Sequence, residues 1–152
     1  MSTQEQDLSR QLLNGEQVML ELPGMPEFIS LARLSAASVG NIIGFPIDDI
    51  EDLKVALSEA CTKAMQYGCD EYMTYTVTFT LYSDRLIVDV ADKGQGCDFE
   101  ALQEPALNGT QVGGFGLYII RTLMDEMNID CSEGAGTVLT MTKLLRPQHG
   151  IQ

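Results

Sequence analysis

The stretch Met73-Thr74-Tyr75-Thr76-Val77-Thr78-Phe79-Thr80-Leu81-Tyr82 changes character at every second residue. Tyr75, Val77, Phe79 and Leu81 fall on one face and four threonines on the other, which is the pattern of a half-buried strand. Ser83-Asp84 makes a turn, and Leu86-Ile87-Val88-Asp89-Val90-Ala91 is a second strand, so the two pair as a hairpin. On either side of this hairpin the period is helical. Upstream, Pro26 opens a helix in which Phe28, Ile29, Leu31, Ala32, Leu34, Ala36, Val39, Ile42 and Ile43 recur at helical spacing up to Gly44. A second helix follows Pro46, with Asp48 and Asp49 at its positive end. Its apolar stripe is Ile50, Leu53, Leu57, Ala60, Cys61, Ala64 and Met65, and Gly68 stops it. Downstream, the pattern predicts a third helix over 116–127 and a hairpin of 129–132 with 138–144 around Glu133-Gly134-Ala135-Gly136. A first strand is expected at 17–22, ending at Pro23.

The order is therefore β-α-α-β-β-loop-α-β-β. Helices set apart from hairpins leave room for few parallel crossovers. The fold class is α+β: a two-layer sandwich of mostly antiparallel sheet with helices on one face. At 152 residues the prior is one domain. The expected division is a flexible N-terminus over 1–15, a single domain over 16–146 and a tail over 147–152. The only histidine, His149, sits in that tail, where side chains are poorly held, so a catalytic role is not expected of it.

Composition excludes several functions. Nine Lys and Arg against 22 Asp and Glu leave a net charge of -13, which repels phosphate backbones and anionic lipid. No direct nucleic-acid or membrane partner is expected. No apolar run approaches the roughly 20 residues that span a bilayer, and the N-terminal residues do not read as a secretory signal. Cys61, Cys69, Cys97 and Cys131 show no Cys-x-x-Cys spacing and no clustered histidine. Zinc is not expected, and reduced thiols in a cytoplasmic protein are the plain reading.

Three glycine clusters sit at element ends: Asp92-Lys93-Gly94-Gln95-Gly96 after a strand, Gly113-Gly114-Phe115-Gly116 opening a helix, and Gly134-Ala135-Gly136-Thr137 between two strands. A glycine-rich turn at a helix N-terminus lets backbone N–H groups approach an anion. Alone such a turn is more often only a turn, and it is neither a Walker loop nor a dinucleotide-binding fingerprint. Glu59 and Lys63 share a helix face, as do Ser58 and Thr62. By itself the Glu59–Lys63 pair reads as a surface ion pair, which stabilises a helix by about 0.2–0.5 kcal/mol. Asp92 by itself reads as a turn former at a strand end.

The three clusters together, in this order, resemble the GHKL ATPase superfamily with its Bergerat nucleotide fold. Two stretches are more specific still: Ile50-Glu51-Asp52-Leu53-Lys54-Val55-Ala56-Leu57-Ser58-Glu59-Ala60-Cys61-Thr62, and Gly114-Phe115-Gly116-Leu117-Tyr118-Ile119-Ile120-Arg121-Thr122-Leu123-Met124-Asp125-Glu126. Both are similar to the bacterial anti-sigma factor serine-protein kinases that control general-stress and sporulation sigma factors. The resemblance covers about 17–145.

It implies a role for each matching position. Glu59 would be the general base that takes the proton of a substrate serine hydroxyl. Asp92 would accept a hydrogen bond from the adenine amino group, with Gly94 and Gly96 allowing close approach and Thr137 supporting the adenine end. Gly113, Gly114, Gly116 and Leu117 would hold the phosphates, and 98–112 would be a lid over the ATP. The implied partners are a sigma factor, an anti-anti-sigma antagonist, ATP or ADP, and a second copy of the chain in a homodimer. The implied place is the cytoplasm, in transcription regulation of a stress response.

One position departs from the family. Where the motif carries an asparagine that ligates Mg²⁺, four residues after the glutamate, this chain has Lys63. An ammonium has only donors, so it is no metal ligand, and no metal-binding residue is assigned. The segment 98–112 also lacks any Lys or Arg. Two consequences compete: Lys63 reaches the triphosphate and stands in for the metal's charge, or phosphoryl transfer is lost and the chain is a catalytically weakened partner-binding switch. A histidine-kinase catalytic domain shares the fold, but no helical segment carries a phosphoacceptor histidine. Topoisomerase, chaperone and mismatch-repair relatives need further domains.

Overall fold

Alternation in the central hairpin produces a sheet with one covered face. The structure, a computed structural model, describes residues 12–67, 73–92, 116–132 and 136–147. Within them β1 (Asn14–Pro23) is followed by a 3-10 turn at Pro26–Phe28, then α1 (Ile29–Ile43) and α2 (Ile47–Tyr67). The hairpin β2 (Thr74–Tyr82) and β3 (Arg85–Asp92) comes next, then α3 (Gly116–Leu123), β4 (Glu126–Ser132) and β5 (Gly136–Leu144). The five strands form one sheet in the order β1-β2-β3-β5-β4, and every neighbouring pair is antiparallel. The expected α+β sandwich is the architecture found.

Tyr75, Val77, Phe79 and Leu81 of β2 are buried, as are Leu86, Val88 and Val90 of β3 and Leu139 and Met141 of β5. Against them pack the stripe of α2 (Ile50, Leu53, Ala56, Leu57, Ala60, Cys61, Ala64) and Leu117 and Ile120 of α3. α1 buries Ala32, Ala36, Val39 and Ile43 but leaves Leu31, Leu34 and Ile42 exposed. Its close approach to α2 depends on Gly40, where a Cβ would lie 3.1 Å from Ile50 Cγ1. α1 ends at Gly44, whose φ of 105° is the left-handed value a C-terminal glycine accepts without strain. Among the described residues no helix is long and apolar enough to cross a membrane.

The third helix is shorter than its sequence pattern predicts. It stops at Leu123, not 127, because the Asp125 amide turns to donate to the Thr142 carbonyl at 2.9 Å. From Glu126 onward the chain pairs with β5, Met127 opposite Met141 and Ile129 opposite Leu139. Met127 and Ile129 therefore serve a strand face, although Met127, three residues after Met124, extends the helical stripe of α3. β1 also begins earlier than the expected residue 17.

Candidate functional site

The parity that buries Leu86, Val88 and Val90 carries one step further to Asp92, the last residue of β3. A carboxylate thus ends a row of core side chains, only 7% exposed. Directly across the ladder from it stands Thr137 at the start of β5, 8% exposed. Cys131 of β4 lies opposite Thr137 in turn, and the threonine hydroxyl donates weakly to its sulfur at 3.8 Å. Against the expectation of reduced thiols, Cys131 is disulfide-bonded. Cys61 is free, buried in the core, and its thiol is pushed up to about 11 chiefly by burial. It is an inert packing residue.

Asp92 and Thr137 line an open cleft at this end of the sheet. Its walls are Ala60, Lys63 and Ala64 of α2 on one side and Val90, Ile129 and Leu139 of the sheet on the other. The apolar walls with a few convergent polar groups suit a flat ring carrying hydrogen-bonding edges. Ala60 and Ala64 matter by being small. They sit one turn apart on α2 and keep the helix from filling the space over the sheet. In the sequence they read as part of the core stripe, and Val90, Ile129 and Leu139 as strand core. These wall residues carried no separate signal, because a residue lining a cleft and one lining a core have the same polarity.

Glu59 and Lys63 also sit one turn apart on α2, and both point at the first residue of α3. A Cβ built on Gly116 would lie 2.8 Å from Lys63 Cε, 3.0 Å from Glu59 Oε2 and 3.6 Å from Lys63 Nζ. Only glycine leaves room for both. Lys63 is 7% exposed, so the pair is not the surface ion pair that spacing alone suggests. Burial lowers the Lys63 pKa, and the neighbouring Glu59 carboxylate works against that shift. Ser58 and Thr62, the second spaced pair, are occupied within the helix: their hydroxyls donate to the carbonyls of Lys54 and Ser58 at 2.8 and 2.9 Å.

The structure thus gathers Glu59, Lys63, Asp92, Gly116 and Thr137 at one end of the α2–sheet interface, with Leu117 buried behind Gly116. Gly94, Gly96, Gly113, Gly114 and the segment 98–112 lie outside the described residues.

Residues 22–143 match the family model described as a histidine kinase-like ATPase domain. The chain is 37% identical over 139 residues to the serine-protein kinase RsbW of Halalkalibacterium halodurans, covering 86% of this chain and 85% of that protein. Against the serine-protein kinase RsbW of Bacillus subtilis it is 37% identical over 146 residues, covering 90% of each. The chain belongs to the RsbW serine-protein kinase family. Among solved structures, the RsbU and RsbW domains of Rv1364c from Mycobacterium tuberculosis superpose with a TM-score of 0.65 at 20% identity. That match covers 90% of this chain and 34% of the other, and shows the fold alone. The histidine kinase domain of an Erythrobacter litoralis blue-light activated histidine kinase superposes with a TM-score of 0.53 at 19% identity. RsbW kinases and histidine kinases therefore share this sheet and helix arrangement, and sequence identity places the chain with the former.

Proposed function

We propose that the protein is an anti-sigma factor with ATP-dependent protein-serine kinase activity. It holds a sigma factor out of transcription and phosphorylates a serine of an anti-anti-sigma antagonist. The observation that carries this reading is the convergence of Glu59 and Lys63 on Gly116, beside a cleft floored by Asp92 and Thr137. That arrangement puts a carboxylate, a cation and a helix N-terminus at one end of a pocket shaped for a base.

In this reading the adenine lies between Ala60 and Ala64 on one side and the sheet on the other. Its amino group donates to Asp92, and Thr137 supports the same edge. The low polarity of the walls strengthens that single hydrogen bond. Gly94 and Gly96 allow backbone approach at the adenine, while Gly113, Gly114, Gly116 and Leu117 hold the phosphates, where the positive end of α3 favours negative charge. Glu59 accepts the proton of the serine hydroxyl as its oxygen attacks the γ-phosphorus and ADP leaves.

Magnesium is the ion this family resemblance implies, and the residues do not fit it. The expected ligand position holds a lysine, and among the described residues no group of three or more His, Cys, Asp and Glu side chains is placed to hold a metal. No step is assigned to the ion. The acidic surface complements the basic, DNA-facing surfaces of a sigma factor. The exposed Leu31, Leu34 and Ile42 of α1 suit a homodimer contact, and the cytoplasm is the compartment where a sigma factor is met. The test is transfer of the γ-phosphate of labelled ATP to a candidate anti-anti-sigma antagonist protein. Phosphoserine on the antagonist is the expected result, and its absence with and without divalent metal refutes the kinase reading.

A further inference from the structure

Cys131 stands at the rim of the cleft and takes no part in the chemistry described so far. It lies on β4, an edge strand of the sheet, two residues beyond the cleft residue Ile129 and on the same face of the strand. Across the ladder is Thr137, and across from Thr137 is Asp92, so the three side chains form one row along the end of the sheet. The Thr137 hydroxyl donates to the Cys131 sulfur at 3.8 Å. Cys131 is only partly buried, unlike Cys61. Because Cys131 is disulfide-bonded and Cys61 is free, its partner is one of the two remaining cysteines of the sequence, Cys69 and Cys97. Cys69 comes two residues after Tyr67, the end of α2, and Cys97 five residues after Asp92, the end of β3. Both α2 and β3 are walls of the cleft. Either pairing therefore ties β4 covalently to the chain that leaves another wall.

In a reducing cytoplasm a disulfide does not persist as a staple, and those that form there are as a rule transient and redox-sensing. We infer that Cys131 is the regulatory thiol of a redox switch: its oxidation to the disulfide straps the cleft and weakens ATP binding, and reduction releases it. The inference rests on reading the cleft as the ATP site of a cytoplasmic kinase. The oxidant is a peroxide. The Cys131 thiolate attacks one peroxide oxygen, the O–O bond breaks, the leaving oxygen takes up a proton as water, and Cys131 becomes a sulfenic acid. The partner thiol then attacks that sulfur. The S–S bond forms, the S–O bond breaks, and the hydroxyl leaves with the partner's proton as a second water. Two thiols thus lose two electrons to one hydrogen peroxide, and a dithiol reverses the bond by exchange. The Thr137 hydroxyl assists the first step, since a donor aimed at the sulfur favours the thiolate. A ring that enters between α2 and the sheet needs the walls to adjust, and a covalent tie across them opposes that adjustment.

Two measurements on the full chain, treated with hydrogen peroxide or with dithiothreitol, test this. Peptide mapping after alkylation reads the bond, and calorimetric titration with ATP reads its effect. Cys131 is expected in a cross-linked peptide of the monomer after peroxide and as an alkylated thiol after dithiothreitol. The oxidised chain is expected to bind ATP at least about fivefold more weakly than the reduced chain. Cys131→Ser is expected to bind ATP as the reduced wild type does, before and after peroxide, which separates the bond from oxidation elsewhere. Cys69→Ser or Cys97→Ser, whichever removes the partner, is expected to abolish the cross-link. Four outcomes overturn the switch and leave the ATP site standing: Cys131 still alkylated after peroxide, a cross-link that joins two copies, a cross-link that survives each of the two partner substitutions, or oxidised binding less than fivefold weaker than reduced. Absence of ATP binding by the reduced chain overturns the ATP site, and the switch with it.

Discussion

Glu59 and Lys63, one turn apart on α2, close on the same point of α3: a Cβ on Gly116 would lie 3.0 Å from the Oε2 of one and 2.8 Å from the Cε of the other. The absence of a side chain at residue 116 is what lets an acid and a base share the entrance of the cleft. Four predictions follow from this contact and from the ties that hold its surroundings.

Replacing Gly116 with alanine pushes the new methyl into the Lys63 side chain. The far end of a lysine moves at small cost, so the fold is kept, but the ammonium leaves its place. The Gly116→Ala variant is expected to melt within a few degrees of wild type and to bind ATP about tenfold or more weakly. Calorimetry and a thermal scan on one preparation decide it. Wild-type affinity in the variant shows that the position of Lys63 is not set by this contact.

Glu59→Gln keeps the size of the side chain and removes its basicity. Phosphoryl transfer to the antagonist is expected to fall by about 10²–10⁴-fold, the range of a positioned general base. ATP affinity is expected to hold or improve, since an anion is removed from beside the phosphates. Single-turnover transfer with labelled ATP measures the first and titration the second. A variant that transfers phosphate at the wild-type rate removes Glu59 from the chemistry.

Lys143 ties three elements together from the covered face of β5. Its Nζ donates to the Leu123 carbonyl at the end of α3 at 2.7 Å and stands 3.9 Å from carboxylate oxygens of Asp49 and Asp52 near the start of α2. A cation suits a helix C-terminus, and the acids suit an N-terminus. In Lys143→Met the Leu123 carbonyl loses its partner, which costs about 1–3 kcal/mol when such a group stays buried. For a chain of this length the melting temperature is expected to drop by roughly 3–10 °C. An unchanged transition means that water or a neighbour replaces the bond.

Asp125 closes the turn between α3 and β4. Burial alone would raise its pKa, but hydrogen bonds from the Arg146 guanidinium and the Leu144 amide at 2.7 Å outweigh it and hold the carboxyl below its usual value of 3.8. A folded-state pKa below the unfolded one stabilises the protein above about pH 4, and the contribution is lost as pH falls through the folded value. Urea unfolding of wild type and Asp125→Asn is therefore expected to differ most at neutral pH and to converge in strong acid. A gap that widens toward low pH contradicts this.

The burial of Asp92, which by itself reads as a turn former, came from the structure, whereas the sequence by itself determined the element order and the buried face of β2 and β3. These follow from period and parity, which are local and survive without knowledge of what lies opposite. It also pointed to Glu59, Thr137 and Gly116 through the family resemblance. The end of α3 was not legible because Met127, three residues after Met124, extends a helical stripe, and only its pairing with Met141 of β5 places it in a strand. Local pattern was silent on β5 lying between β3 and β4, which is what sets Thr137 directly across from Asp92 and makes the cleft floor. It was silent too on whether the Glu59–Lys63 pair faces water or the core. That was decided by α3 packing its first turn onto α2: segments far apart in the chain meet at Gly116, and a helical spacing of four acquires chemistry only from what is folded against it.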